Sequence, residues 1–134
     1  MSAIDAIEGI GPANKAKLAE AGIKTTDGLL DKGCTKKGRA ELAGATGVPE
    51  ATILKWVNMA DLFRVKGIAS QNAELLKASG VDTVKELRNR KAANLAAKIK
   101  EVNDAKKLAR AVPTESQVQG WIDQAKELPP KVTY

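Results

Sequence analysis

Shifted by 58 positions, this 134-residue chain overlays on itself. Gly9-Ile10-Gly11 meets Gly67-Ile68-Ala69, Asn14 meets Asn72, Leu18 meets Leu76, and Ala21-Gly22-Ile23 meets Ser79-Gly80-Val81. Thr25 meets Thr83 and Leu29 meets Leu87. Past an insertion in the second copy, Leu42-Ala43 meets Leu95-Ala96, Val48-Pro49 meets Val112-Pro113, and Trp56-Val57 meets Trp121-Ile122. Self-similarity constrains the fold more than any local propensity, because one supersecondary unit must serve twice. The register predicts two small domains, residues 1–64 and 65–134.

The content of each copy points to helices. Aromatic residues make up 3% of the chain, and the apolar positions are filled by Ala, Leu, Ile and Val. The expected fold class is all-α, from helix propensity and small-residue packing. In the first copy a short segment near Ile4 to Ile7 precedes helices from Pro12 to Ala21, around Leu29-Leu30, from Lys36 to Ala45, and from Glu50 to Phe63. In the second copy Thr83 to Glu86 has the form of a capping box. A long helix follows from Ala92 to Val102, with Asn103 breaking or recapping it before Asp104–Ala111. A last helix spans Thr114 to Leu128 and stops at Pro129-Pro130. The tail Lys131–Tyr134 is expected to be loose.

Several chemistries are excluded or disfavoured. The chain has no histidine, which removes a His zinc site and a His general base. Its single cysteine, Cys34, has no internal partner, and no partner base lies near it. The carboxylates sit near lysines at helical spacing and read as surface charges. No catalytic residue, metal or cofactor is expected, and the chain is read as a non-enzyme. No apolar leader or membrane-length run occurs, so no membrane partner is expected and the cytoplasm is the expected address.

The stretch Ile7-Glu8-Gly9-Ile10-Gly11-Pro12 places two glycines around one apolar residue, with Pro at a helix start. Such a turn delivers backbone N–H groups to the positive end of a helix, where an anion is favoured. The glycines are read as supplying positive φ, so a β-branched residue at Gly11 is expected to strain the backbone. For the same reason Ala69, at the equivalent place, predicts a weaker hairpin in the second copy.

These residues resemble a helix-hairpin-helix motif. With the second turn Thr46-Gly47-Val48-Pro49, the steps Ala21-Gly22-Ile23-Lys24-Thr25 and Glu41-Leu42-Ala43 resemble the N-terminal helix-hairpin-helix domain of RadA-type recombinases. The whole tandem, through Trp121-Ile122-Asp123-Gln124-Ala125-Lys126, resembles a bacterial domain-of-unknown-function family related to helix-hairpin-helix proteins. The resemblance implies two tandem helix-hairpin-helix (SAM-like) units. It also implies that the hairpin N–H groups of Gly9, Ile10 and Gly11 hold a nucleic-acid phosphate, with Lys15, Lys17 and Gly47 nearby. Lys15 departs from the family pattern, which places a small packing residue there. The lysine either splays the helices or snorkels to water.

Charge adds a second candidate surface. Residues 85–110 hold nine Lys/Arg against three Asp/Glu, which accounts for the whole net charge of +6. Arg88, Arg90, Lys91, Lys98, Lys100, Lys106 and Lys107 lie in this window. A basic stretch is the footprint of a polyanion binder, although a solvated helix face carries the same signature. The expected function is non-sequence-specific binding of DNA or another polyanion. The alternative is a protein-interaction adaptor or scaffold that keeps the fold without phosphate binding. Trp56 and Trp121 are expected to be buried anchors.

Overall fold

The computed structural model describes residues 3–7, 9–68 and 70–133. Among them lie α1 (Pro12–Glu20), α2 (Thr26–Gly33), α3 (Lys36–Thr46), α4 (Glu50–Leu62), α5 (Ser70–Ala78), α6 (Val84–Arg88), α7 (Ala92–Lys106) and α8 (Glu115–Glu127), with a 3-10 turn at Ile4–Ala6. The β pairing among the described residues is one isolated bridge, Ala3 with Thr25. The protein is all-α. No described helix is long and apolar enough to cross a membrane. The chain forms two compact units: Met1–Asp61 with Lys131–Tyr134, and Leu62–Pro130.

In unit 1, α1 and α2 pack on the 3-10 turn, and both lie against α3. Thr25 and Thr35 start α2 and α3, each accepting a backbone N–H at 3.0 Å, from Gly28 and Gly38. Gly38 allows α3 to approach the end of α2, since a Cβ there would lie 1.9 Å from the Lys32 carbonyl oxygen. Ile4, Leu18, Leu29, Leu42, Ile53 and Val57 are almost wholly buried. Each such side chain contributes about 1.5–3 kcal/mol by leaving water. Every residue of α4 from Trp56 to Leu62 is buried, including Asn58 and Asp61.

The tail is a correction to the sequence reading. Lys131 pairs with Asp31, and Thr133 bonds Cys34 and Arg39. Its anchor, Arg39, is 4% exposed, and its guanidinium also holds the Gly33 carbonyl at 2.9 Å.

In unit 2, α8 packs on α6 and α7, and α5 packs on α7. Thr83 caps α6, and a full capping box joins Thr114 to Gln117 at the start of α8. The end of α8 is held by two arginines: Arg88 donates to Lys126 O at 3.2 Å, and Arg64 to Pro129 O at 2.8 Å. Asn103 does not break α7, which runs on to Lys106. Its side chain instead reaches past the helix end and bonds both the N–H and the carbonyl of Ala109, at 2.9 and 3.0 Å. The expected helix over 104–111 is therefore mostly irregular chain pinned by one asparagine.

The two units repeat one set of local bonds at the 58-residue shift. Ile7 N–H bonds Ile4 O and Ile10 N–H bonds Ile7 O; Val65 bonds Leu62 and Ile68 bonds Val65 likewise. Ile23 to Leu18 at 2.9 Å matches Val81 to Leu76 at 2.8 Å. Positive φ occurs at Gly9 (95°) and Gly67 (96°), Gly22 (83°) and Gly80 (93°), Gly47 (75°) and Lys107 (53°). Trp56 and Trp121 are 5% and 6% exposed. Each turns its indole nitrogen toward its own unit's hairpin glycine: the nitrogen lies 3.9 Å from where a Cβ on Gly9 would stand, and 3.0 Å for Gly67.

Candidate nucleic-acid interface

The first hairpin is built by an internal anchor and an open rim. Ile10 is 5% exposed and points inward, while Gly9, Gly11, Pro12 and Ala13 are exposed. Glu8 lies outside the described residues. Gly9 at φ 95° takes a conformation that costs other residues strain. Gly11 does not. It is the N-cap of α1 at φ −83° and ψ 179°, ordinary extended backbone, so the expected strain at this position is corrected. No heavy atom lies within 4 Å of a Cβ placed on Gly11. Ala69, at the equivalent place in the second copy, lies outside the described residues.

The start of α1 is chemically bare. Gly11 provides no side-chain cap, Pro12 has no N–H, and the first turn carries no acid. Helices α2, α3, α6 and α8 each begin with a threonine cap. Helix α7 shares the bare pattern: its N-cap is Lys91, with no side-chain bond and no acid in the first turn. A lysine at the positive end of a helix is electrostatically unfavourable unless an anion sits there.

The remaining sequence candidates divide by what they already hold. Lys15 reaches back over the 3-10 turn and donates to Asp5 at 3.1 Å, so it clears the helix contact and its ammonium is half spent. Lys17 stands exposed on the same helix. Gly47 is the left-handed C-cap of α3, exposed, with its N–H bonded to Ala43 O. Arg88 bonds Lys126 O, and Arg90 bonds Gly80 O at 3.0 Å, so both guanidiniums serve the fold. Lys98 approaches Glu101 at 4.0 Å, and Lys100, Lys106 and Lys107 are exposed. At ~100° per residue, Lys98 and Lys100 lie on opposite flanks of the buried stripe of α7, while Lys91 and Lys98 share one flank. The basic window is thus spread around α7.

Two features escaped the sequence reading. Asn72 donates from Nδ2 to Gly67 O at 3.2 Å and clasps the second hairpin. Beside it, a cleft of ≈ 290 Å³ runs between the start of α5 and residues 110–113, with Arg110 on its wall. The register of Asn72 with Asn14 was the available signal for the first. Outside the site, Glu41 is held below the ordinary glutamate value by its hydrogen bond to Lys32 at 2.8 Å and by that lysine's charge.

No curated protein and no solved structure matches this chain. A family model covers residues 8–128, nearly the whole of both units and every candidate residue named above. The chain therefore belongs to the family described as Domain of unknown function (DUF4332).

Proposed function

We propose that the two units are degenerate copies of one helix-hairpin-helix unit, and that the protein binds the phosphate backbone of nucleic acid without reading sequence. The observation that carries this reading is the bare start of α1. Its free N–H groups stand beside open space at Gly11, with Lys17 on the outgoing helix. The second bare start, at Lys91, adds a point of contact in unit 2, where the net charge is concentrated: residues 62–130 hold 13 Lys/Arg against 8 Asp/Glu. The matched turns and tryptophans support the repeat. The adaptor reading is favoured by a different fact, that Arg88 and Arg90 are spent on backbone carbonyls.

Fluorescence anisotropy with a labelled duplex, titrated with salt, separates the two. Neutralising about three phosphates gives a log–log slope of roughly −3. Gly11→Val is expected to keep its helicity, because the position is extended and open, yet to weaken binding by blocking the anion's approach. Lys98, Lys100, Lys106 and Lys107 changed together to Glu should flatten the slope. A parent protein that does not bind at low salt refutes the proposal; unchanged binding by a folded Gly11→Val removes the hairpin from it.

A further inference from the structure

The cleft beside the second hairpin is lined by polar groups that the fold does not use. It runs between the start of α5 and residues 110–113, within unit 2, with a volume of ≈ 290 Å³. Arg39, Arg64, Arg88 and Arg90 each hold a backbone carbonyl. Arg110, exposed on the cleft wall, bonds nothing among the described residues. Gln71 is equally unspent. Asn72 uses its Nδ2 on the Gly67 carbonyl and keeps its Oδ1. Gln117 spends its Oε1 on the Thr114 N–H and keeps its Nε2. Val112 and Pro113 line the same cleft, and among the described residues no carboxylate does. The chain's own repeat marks this chemistry as particular to the second copy. In the overlay Gln71 meets Ala13, and Arg110 meets Thr46, whose buried hydroxyl bonds Leu42 O at 2.6 Å. Thr114, which holds Gln117, stands between Pro113 and Glu115 and has no counterpart between Pro49 and Glu50.

We propose that this cleft binds one unpaired adenine nucleotide, its phosphate on Arg110 and its base edge on the amides of Gln71 and Asn72. A guanidinium fork matches two phosphate oxygens and stays charged at any working pH. A side-chain amide sets a donor beside an acceptor, which is the complement of adenine N7 and N6. Val112 and Pro113 give the base an apolar surface. Small-molecule sites span about 300–1,000 Å³, and this cleft stands at their lower end, so it takes one nucleotide and not a duplex. The choice of a nucleotide rests on the nucleic-acid reading of the protein; the unspent groups of the cleft do not.

NMR titrations with adenosine 5′-monophosphate, adenosine and inorganic phosphate test this. The nucleotide should bind about tenfold more tightly than adenosine or phosphate, because it engages both walls. Arg110 is exposed and unbonded, so Arg110→Gln keeps the fold, which the amide spectrum checks. That change should weaken the nucleotide about tenfold and leave adenosine as it was. A duplex with one protruding 5′-phosphorylated adenosine, compared with the same duplex blunt, identifies the source of the ligand. Tighter binding of the protruding end assigns the cleft to a strand terminus; equal binding, with the nucleotide bound, assigns it to the free mononucleotide. Nucleotide binding without duplex binding removes the backbone-binding reading and keeps the cleft. A protein that binds neither the nucleotide nor the protruding end in preference to the blunt one overturns the proposal, whatever its affinity for duplex. So does a nucleotide held no more tightly than phosphate, or an Arg110→Gln protein that binds the nucleotide as the parent does.

Discussion

The hairpin glycines can be tested against each other through their tryptophans. Gly9 and Gly67 share the same backbone, φ 95° and 96°. An alanine at either pays about 1–2 kcal/mol for the left-handed region. It recovers about 0.4–1 kcal/mol from the stiffer unfolded chain. Gly9→Ala should therefore cost about 1 kcal/mol, since its Cβ meets the Trp56 nitrogen at an easy 3.9 Å. Gly67→Ala brings its Cβ to 3.0 Å from the Trp121 nitrogen, and that ring, 6% exposed, has little room to retreat. Crowding a packed side chain adds about 1–3 kcal/mol. Urea unfolding followed by tryptophan emission reads the difference. With m near 2 kcal/mol/M, the midpoint should fall by about 0.5 M for Gly9→Ala and by about 1 M or more for Gly67→Ala. A Gly67→Ala midpoint equal to or above that of Gly9→Ala would refute the argument, because it would mean that Trp121 does not press on the hairpin.

Two further predictions concern the surfaces around α3 and α7. Asn103→Ala removes two hydrogen bonds to Ala109 and should cost about 1–3 kcal/mol, with faster amide exchange at Ala109. Glu41 titrates below the ordinary glutamate value, so the Lys32 contact stabilises the fold at neutral pH and is lost as pH falls through the folded pKa. NMR titration of the Glu41 carboxyl in Lys32→Met should return it to the ordinary value, whereas an unmoved curve assigns the shift elsewhere.

What the sequence disclosed was local. Thr25 and Thr83 cap their helices because the hydroxyl and the N–H it accepts are three residues apart. The turns at Gly22 and Gly80 are punctuation of the same short range. Hidden features depend on partners far along the chain or on how a side chain is spent. Arg39 is buried and bonds the carbonyl of Thr133, 94 residues away, a partner that no local pattern announces. Arg88 and Arg90 read as free charge in the sequence, whereas in the structure each guanidinium bonds a backbone carbonyl. Gly11 is a bare helix cap rather than the left-handed turn expected, because a glycine beside a proline serves either use with identical letters. Asn103 reads as a break or a recap of its helix; the helix runs on to Lys106, and the side chain bonds Ala109 beyond its end.

The return of the tail to unit 1 also gives the protein an order of assembly. The bonds repeated in both units join residues a few positions apart and can form as soon as those residues leave the ribosome. The bond between Arg39 and Thr133 cannot, because 94 residues separate them. At bacterial and eukaryotic elongation rates this is roughly 5–20 s of synthesis. Closing so long a loop adds only a slow, logarithmic entropy cost. The delay is therefore kinetic: unit 1 is born with its α2–α3 corner open and completes it only after unit 2 has been made.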